Sequence, residues 1–332
     1  MKAIVYSEPG GPEVLRLVER PVPEPGPGEV RVHVHVSGVN PTDWKSRRSG
    51  SPFPEQVPGQ DGAGEIDAVT HGIRLTVGQR VWIWEAAWQR PDGTAQEYVV
   101  LPVEHVVPLP DDASYDLGAS LGIPALTAHR CLTVGRVSRL HPGSLKDQIV
   151  LVAGGAGAVG HAAIQLARWA GATVVTTVST PEKAELARAA GAHHVVNYRT
   201  ENAATVIREV APDGVDLIVE VAPAPNAELD QAVIASNGVV SVYADNGGEE
   251  VTLHVSSLYR LNVRYQFILV YTVPPEAKKA AIEDVSAAVA AGALQVGKAA
   301  GLPLHRFPLE RTADAHEAVE SGTVGKVLID LV

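Results

Sequence analysis

Residues 149–160 read IVLVAGGAGAVG. The apolar run at 148–153 has the length of a buried strand. The stretch at 158–170 then switches to helical spacing, with Val159, Ala163, Leu166, Ala167 and Ala170 on one face, and Gly171 ends it. Between them Gly155, Gly157 and Gly160 fit G-x-G-x-x-G. The pattern is weak alone but informative after a strand and before a helix. In that context the first glycine makes a tight turn, the second lets a pyrophosphate approach the backbone, and the third lets helix and strand pack. The helix N-terminus offers N–H groups and partial positive charge to the phosphates.

Working outward, the same alternation continues. TVVTTV (173–178) is followed by a helix over 181–190 that Gly191 stops. VDLIVEVA (215–222) follows, then a helix after Asn226, then VVSVYA (239–244). Strand and helix alternating at short intervals predict an α/β, doubly wound parallel sheet of the Rossmann type. An NAD site usually carries an acid at the end of the second strand, on the ribose hydroxyls. Here that strand runs into Ser179-Thr180-Pro181-Glu182-Lys183, with no acid at its end. Thr180 suits a helix N-cap and Pro181 the first helical position. Ser179 and Lys183 suit a 2′-phosphate, so the expected cofactor is NADPH.

The first third of the chain has a different texture. EVRVHVHV (29–36) alternates strictly, with the valines on one face and Arg31, His33 and His35 on the other. Further short strands are expected around 62–69, 79–84 and 96–107. The end of the chain holds an alanine-rich helix over 276–291 and a last strand, GKVLIDLV (325–332). A last strand returning to the first domain would make that domain discontinuous.

Composition bounds the function. The 332 residues suggest about two domains. The balance of 27 basic against 38 acidic residues, net −11, argues against nucleic acid or an anionic membrane as partner. One cysteine, Cys131, excludes an internal disulfide and a Cys-based structural zinc site. The uncharged stretch 148–167 is broken by glycines and His161 and is no membrane span. No signal-peptide pattern stands at the N-terminus, so a cytoplasmic protein is expected.

Several stretches together carry a family resemblance: MKAIVYSEPGGPEVL at the start, GVNPTDWK (38–45), VPGQDGAGEI (57–66), VLVAGGAGAVGHAAIQLAR (150–168), AGAHHVVNY (190–198) and AHEAVESGTVGKVLIDL near the end. The chain resembles the zinc-free, zeta-crystallin-type quinone oxidoreductases of the medium-chain dehydrogenase/reductase superfamily. The resemblance implies a GroES-like β-rich domain from 1–124 and 271–332, a Rossmann domain over 125–270, and a homodimer joined through edge strands such as VRYQFILVY (263–271). Zinc-using relatives place Cys at position 40 and His-Glu at 60–61, where this chain has Asn40 and Gln60-Asp61. The expected metal set is therefore none. Asp61 is read as an acceptor for backbone amides in a glycine turn.

The resemblance places Ala156, Gly157, Ala158 and Val159 at the pyrophosphate, between the motif glycines Gly155 and Gly160 that complete the cofactor loop, and Ser179, Lys183 and Tyr198 at the 2′-phosphate. It places Asn226 after the fourth strand, Tyr243 and Ala244 at the end of the fifth, Phe267, Ile268 and Leu269 near the nicotinamide, and Lys326 as a further cofactor contact. Hydride transfer to a quinone or enone builds negative charge on oxygen, which needs a donor or cation. Asn40 and Lys45 are the candidates. Relatives often carry a tyrosine at or next to 45, where Trp44-Lys45 stands here. Gln60, Trp84 and Trp88 are candidate pocket residues. The expected activity is NADPH-dependent, metal-free reduction of a small-molecule quinone. A reductase of α,β-unsaturated carbonyls and a non-catalytic NADPH-binding protein are the alternatives.

Overall fold

The computed structural model describes residues 1–332. The chain forms two compact units, Met1–Ile123 with Pro303–Val332, and Pro124–Leu302.

The second unit is built on a six-stranded, wholly parallel sheet. Its spatial order is His194–Asn197, Thr173–Val178, Ile149–Ala153, Val215–Glu220, Ile234–Val242, Arg264–Phe267. Numbered along the chain this is 3-2-1-4-5-6, the Rossmann order, and it reverses beside Ile149–Ala153, where the glycine loop begins. Leu151, Val175, Val196, Ile218 and Val240 pack on one face with Ile207 and Val233 from the covering helices. Full burial of such side chains contributes about 1.5–3 kcal/mol each. The expected helix after Asn226 starts earlier, at Pro223, because Pro223 supplies the preset first-turn geometry.

The domain boundary also differs from expectation. The chain leaves the α/β unit at 303, not at 271. The reason is a buried carboxylate on the helix Pro275–Ala290. Asp284 accepts hydrogen bonds from His129 Nε2 (2.8 Å), Arg139 Nε (2.8 Å) and the Leu140 N–H (2.7 Å). Burial alone would raise its pKa, but those donors outweigh burial and hold it at about 2.

The first unit is a seven-stranded sheet centred on Glu29–Val39, with Val30, Val32 and Val34 fully buried. The strand Lys326–Asp330 pairs antiparallel on one side of it, with Leu328 opposite Gly38. Asp61–Val69 pairs on the other side, with Asp61 opposite the same Gly38. One residue further along the first register, Val327 faces Val39, and this brings Lys326 beside Asn40. Asn40 then caps the helix Pro41–Ser49. No helix of either unit is long and apolar enough to cross a membrane.

Candidate active site

In the α/β unit the glycines have separate tasks. The left-handed residue of the turn is Gly154 (φ +68°), not Gly155 as the motif alone suggests. Gly155 is needed for packing: a Cβ there would run into Thr176 Oγ1 and lie 2.8 Å from Ile164 Cδ1. A Cβ at Gly160 would lie 2.5 Å from the Gly154 carbonyl oxygen. Gly157 is unlike both. It is exposed, it caps the helix Ala158–Trp169 with φ −82°, and a Cβ there would meet only Gly154 O, at 3.5 Å. Space is therefore kept free at Gly157 in front of a helix N-terminus, which fits a dinucleotide pyrophosphate. Ala158 and Val159 are half-buried beside it, and Ala156 is buried.

At the end of Thr173–Val178, Thr180 accepts the Lys183 N–H as the helix cap, as expected. Lys183 Nζ donates to Ser179 Oγ at 3.3 Å. Tyr198 is half exposed, and its N–H bonds Val178 O at 3.1 Å, so it stands beside the end of the same strand. The structure thus brings Ser179, Lys183 and Tyr198 to one sheet edge. Asn226 lies elsewhere: its Nδ2 donates to both oxygens of the buried Glu220, at 3.0 and 3.1 Å. Tyr243 and Ala244 follow the strand Ile234–Val242 and are half-buried. Phe267 and Leu269 face solvent while Ile268 is buried, so these three do not share a face.

The β-rich unit holds a second polar group of residues. Lys326 Nζ donates to Asn40 Oδ1 at 2.7 Å and lies 3.5 Å from Asp61 Oδ2. Asn40 Nδ2 donates to Asp61 Oδ2 at 2.7 Å, and Asp61 Oδ1 accepts the Ile123 N–H at 2.8 Å. The Asn40 N–H donates to Asp43 Oδ2 at 2.7 Å. All four side chains are at most 3% exposed. One expectation is corrected here, that for Asp61. Lys326, expected as a cofactor contact, has its ammonium on Asn40 and Asp61. Asp61 opens a strand and accepts from one distant amide, a carboxamide and an ammonium, rather than closing a glycine turn. The sequence signal missed was Asn40-Pro41-x-Asp43, an N-cap, a first-turn proline and an acid at the third helical position.

The remaining candidates are separate from this group. Lys45 is exposed, with its Nζ 6.0 Å from the Trp44 ring centre. Gln60 is buried and its Oε1 accepts the Ala87 N–H at 3.1 Å. Trp84 is buried, donates Nε1–H to Glu104 O at 3.0 Å and stacks on His105. Trp88 is half-buried.

Burial sets the electrostatics of the polar group. It pushes Asp43 up to about 7, and the Asp61 charge adds to the shift; the Asn40 and Gly59 backbone and Lys326 oppose it. Burial also raises Asp61 and lowers Lys326, and their mutual attraction opposes both shifts. The raised value for Asp43 gives a pH prediction. The folded state keeps a proton that the unfolded chain, near its ordinary value of about 4, has lost. The contribution of Asp43 to stability is therefore greatest below about pH 4, falls as pH rises, and levels off above about pH 7. Asp43→Asn removes this slope. Thermal melts of both proteins between pH 4 and 8 should show the variant gaining on the wild type as pH rises. A constant difference across that range would refute the assignment.

Residues 26–111 match the model of the alcohol dehydrogenase GroES-like domain, and residues 158–287 that of the zinc-binding dehydrogenase. A quinone oxidoreductase of Lama guanicoe is 32% identical over 342 residues, spanning 99% of this chain and 97% of the relative. A 2-haloacrylate reductase of a Burkholderia species is 30% identical over 75% of this chain and 74% of its own. Among solved structures, a mycobacterial protein complexed with NADPH superimposes with a TM-score of 0.82 at 29% identity, covering 99% of this chain and 100% of that one.

The zinc named in the second model does not fit this chain. A catalytic zinc takes about three ligands from Cys, His and carboxylate. At the corresponding positions Asn40 and Gln60 offer neutral carboxamides, and the Gln60 oxygen is already used by an N–H. The one carboxylate, Asp61, has an ammonium 3.5 Å away. A divalent cation would have to displace a buried positive charge.

Proposed function

The chain belongs to the quinone oxidoreductases of the medium-chain dehydrogenase/reductase superfamily, and from that premise we propose that it is an NADPH-dependent reductase of quinones that works without a metal. The observation that carries the reading is the Asn40–Asp61–Lys326 group. Where a zinc enzyme has a Lewis acid, this chain has a carboxamide backed by an ammonium.

NADPH, when bound, would supply a hydride and be left as NADP⁺, and the quinone with that hydride and one proton from solvent would give the hydroquinone. The chain's residues bind and orient. Gly157 and the first turn of Ala158–Trp169 hold the pyrophosphate, and Ser179, Lys183 and Tyr198 hold the 2′-phosphate. Asn40 donates to the oxygen on which negative charge develops, which lowers the barrier only if the donor is preset. Quinones accept hydride readily enough that a Lewis acid is dispensable. A plain alcohol–ketone couple is harder. The second reading, reduction of an α,β-unsaturated carbonyl, uses the same donor on the carbonyl oxygen and is favoured by the likeness to the 2-haloacrylate reductase.

The test is loss of nicotinamide absorbance with a quinone panel and an enone panel. Fast turnover of quinones is expected. Turnover of enones alone moves the assignment to the second reading, and NADPH binding with no turnover of either refutes both. Lys183→Ala should raise KM for NADPH roughly tenfold and leave KM for NADH unchanged. Equal effects on the two would remove Lys183 from the 2′-phosphate site.

The edge strand Arg264–Phe267, with Phe267 and Leu269 more than half exposed, is the surface proposed to join two copies into a homodimer. A single monomeric species by light scattering at micromolar protein would count against it.

A further inference from the structure

An ammonium offers only donors and an ionised carboxylate only acceptors. The Asn40 side chain lies between one of each, so its carboxamide has a single orientation. Oδ1 faces Lys326 and Nδ2 faces Asp61, each at 2.7 Å. A half-turn would set N–H against the ammonium and oxygen against the carboxylate. The clamp is itself held. Asp61 Oδ1 takes the Ile123 N–H, and the backbone of Asn40 is tied to Asp43. Gly38 gives the lysine stem its channel, since a Cβ there would lie 3.0 Å from Lys326 Cε and run into the Ala119 carbonyl. Of the two hydrogens on Asn40 Nδ2, these bonds use one.

We propose that Lys326 and Asp61 are positioning residues for the reduction: they fix the Asn40 carboxamide so that its second Nδ2–H is the preset donor to the substrate oxygen. The proposal rests on the reductase reading above. The ammonium commits the Asn40 oxygen, so that its lone pairs are not turned on the developing oxyanion. It also places positive charge directly behind the donor. The carboxylate prevents the half-turn. A metal would polarise the substrate by direct contact, whereas here a buried charge acts through one amide.

The test is a mutant cycle. Lys326→Met alone leaves buried carboxylates without their cation and can fail to fold. The double variant D61N/K326M removes one charge of each sign and keeps both shapes close. It is expected to fold and bind NADPH as the wild type does, with kcat on a quinone lowered roughly 10–100-fold. Asn40→Ala should lower kcat at least as far, and adding it to the double variant should lower kcat no further, because the three act as a unit. A double variant with kcat within about twofold of wild type, or losses that multiply, overturns the proposal and leaves Lys326 and Asp61 as structural charges. Should the double variant not fold, Asp61→Asn alone decides: roughly tenfold lower kcat supports the clamp and wild-type kcat overturns it. A wild-type protein inactive on both substrate panels overturns the reductase reading itself, and this proposal with it.

Discussion

Gly157→Val is expected to fold like the wild type and to bind NADPH at least roughly 100-fold more weakly. The two halves of this result have different causes. Folding is spared because Gly157 has an ordinary extended backbone (φ −82°, ψ 161°), which a β-branched residue accepts, and because a Cβ there meets nothing closer than 3.5 Å. Binding is lost because that empty space lies in front of the helix N-terminus, where the pyrophosphate has to approach the backbone. Gly160→Ala should behave in the opposite way. Its Cβ would press on the Gly154 carbonyl at 2.5 Å, so about 1–3 kcal/mol of stability is lost through overpacking. Thermal melts together with a fluorescence titration of NADPH separate the two effects. A Gly157→Val protein that melts like the wild type and still binds NADPH tightly would show that the loop does not hold the pyrophosphate.

Lys326→Met is expected to be the most damaging single change in the β-rich unit. Removing one partner of a buried ion pair costs about 3–5 kcal/mol, because the other charge stays buried without compensation. Here Asp61 lies 3.5 Å from the ammonium and Asp43 also feels its field. For a unit of this size the loss corresponds to a fall in Tm on the order of 10 °C. Changing Asp61 to Asn in the same protein should restore most of it. A Lys326→Met protein that melts within a degree or two of wild type would mean that the ammonium is not the compensating charge.

The two halves of the molecule were unequally legible in the sequence. In the α/β unit the strand Thr173–Val178 and the helices from Ala158 and Pro181 begin where periodicity, capping threonine and proline place them, since these signals act over a few residues. The glycine loop was readable for the same reason. The turn glycine was not, because the run Gly154-Gly155 offers two candidates and only the packing of Thr176 and Ile164 separates them.

Long-range allegiances were not readable. The segment 271–302 joins the α/β unit through Asp284 and His129, which are 155 residues apart. No local pattern in an alanine-rich helix records that partner. Lys326 could be nominated as a site residue but not given its task. Its partner Asn40 is 286 residues away, and their meeting depends on an antiparallel register. The helix Pro41–Ser49 is largely polar, so hydrophobic periodicity did not reveal it and only its caps could have.

A buried ammonium and a carboxamide stand where zinc-using relatives carry metal ligands. The direct measurement is quinone-dependent NADPH oxidation by protein dialysed exhaustively against a strong chelator, with zinc content measured on the same sample. An unchanged rate at far less than one zinc per chain is expected, with no stimulation when zinc is returned. Activity that disappears with the metal and returns with zinc would contradict metal-free reduction.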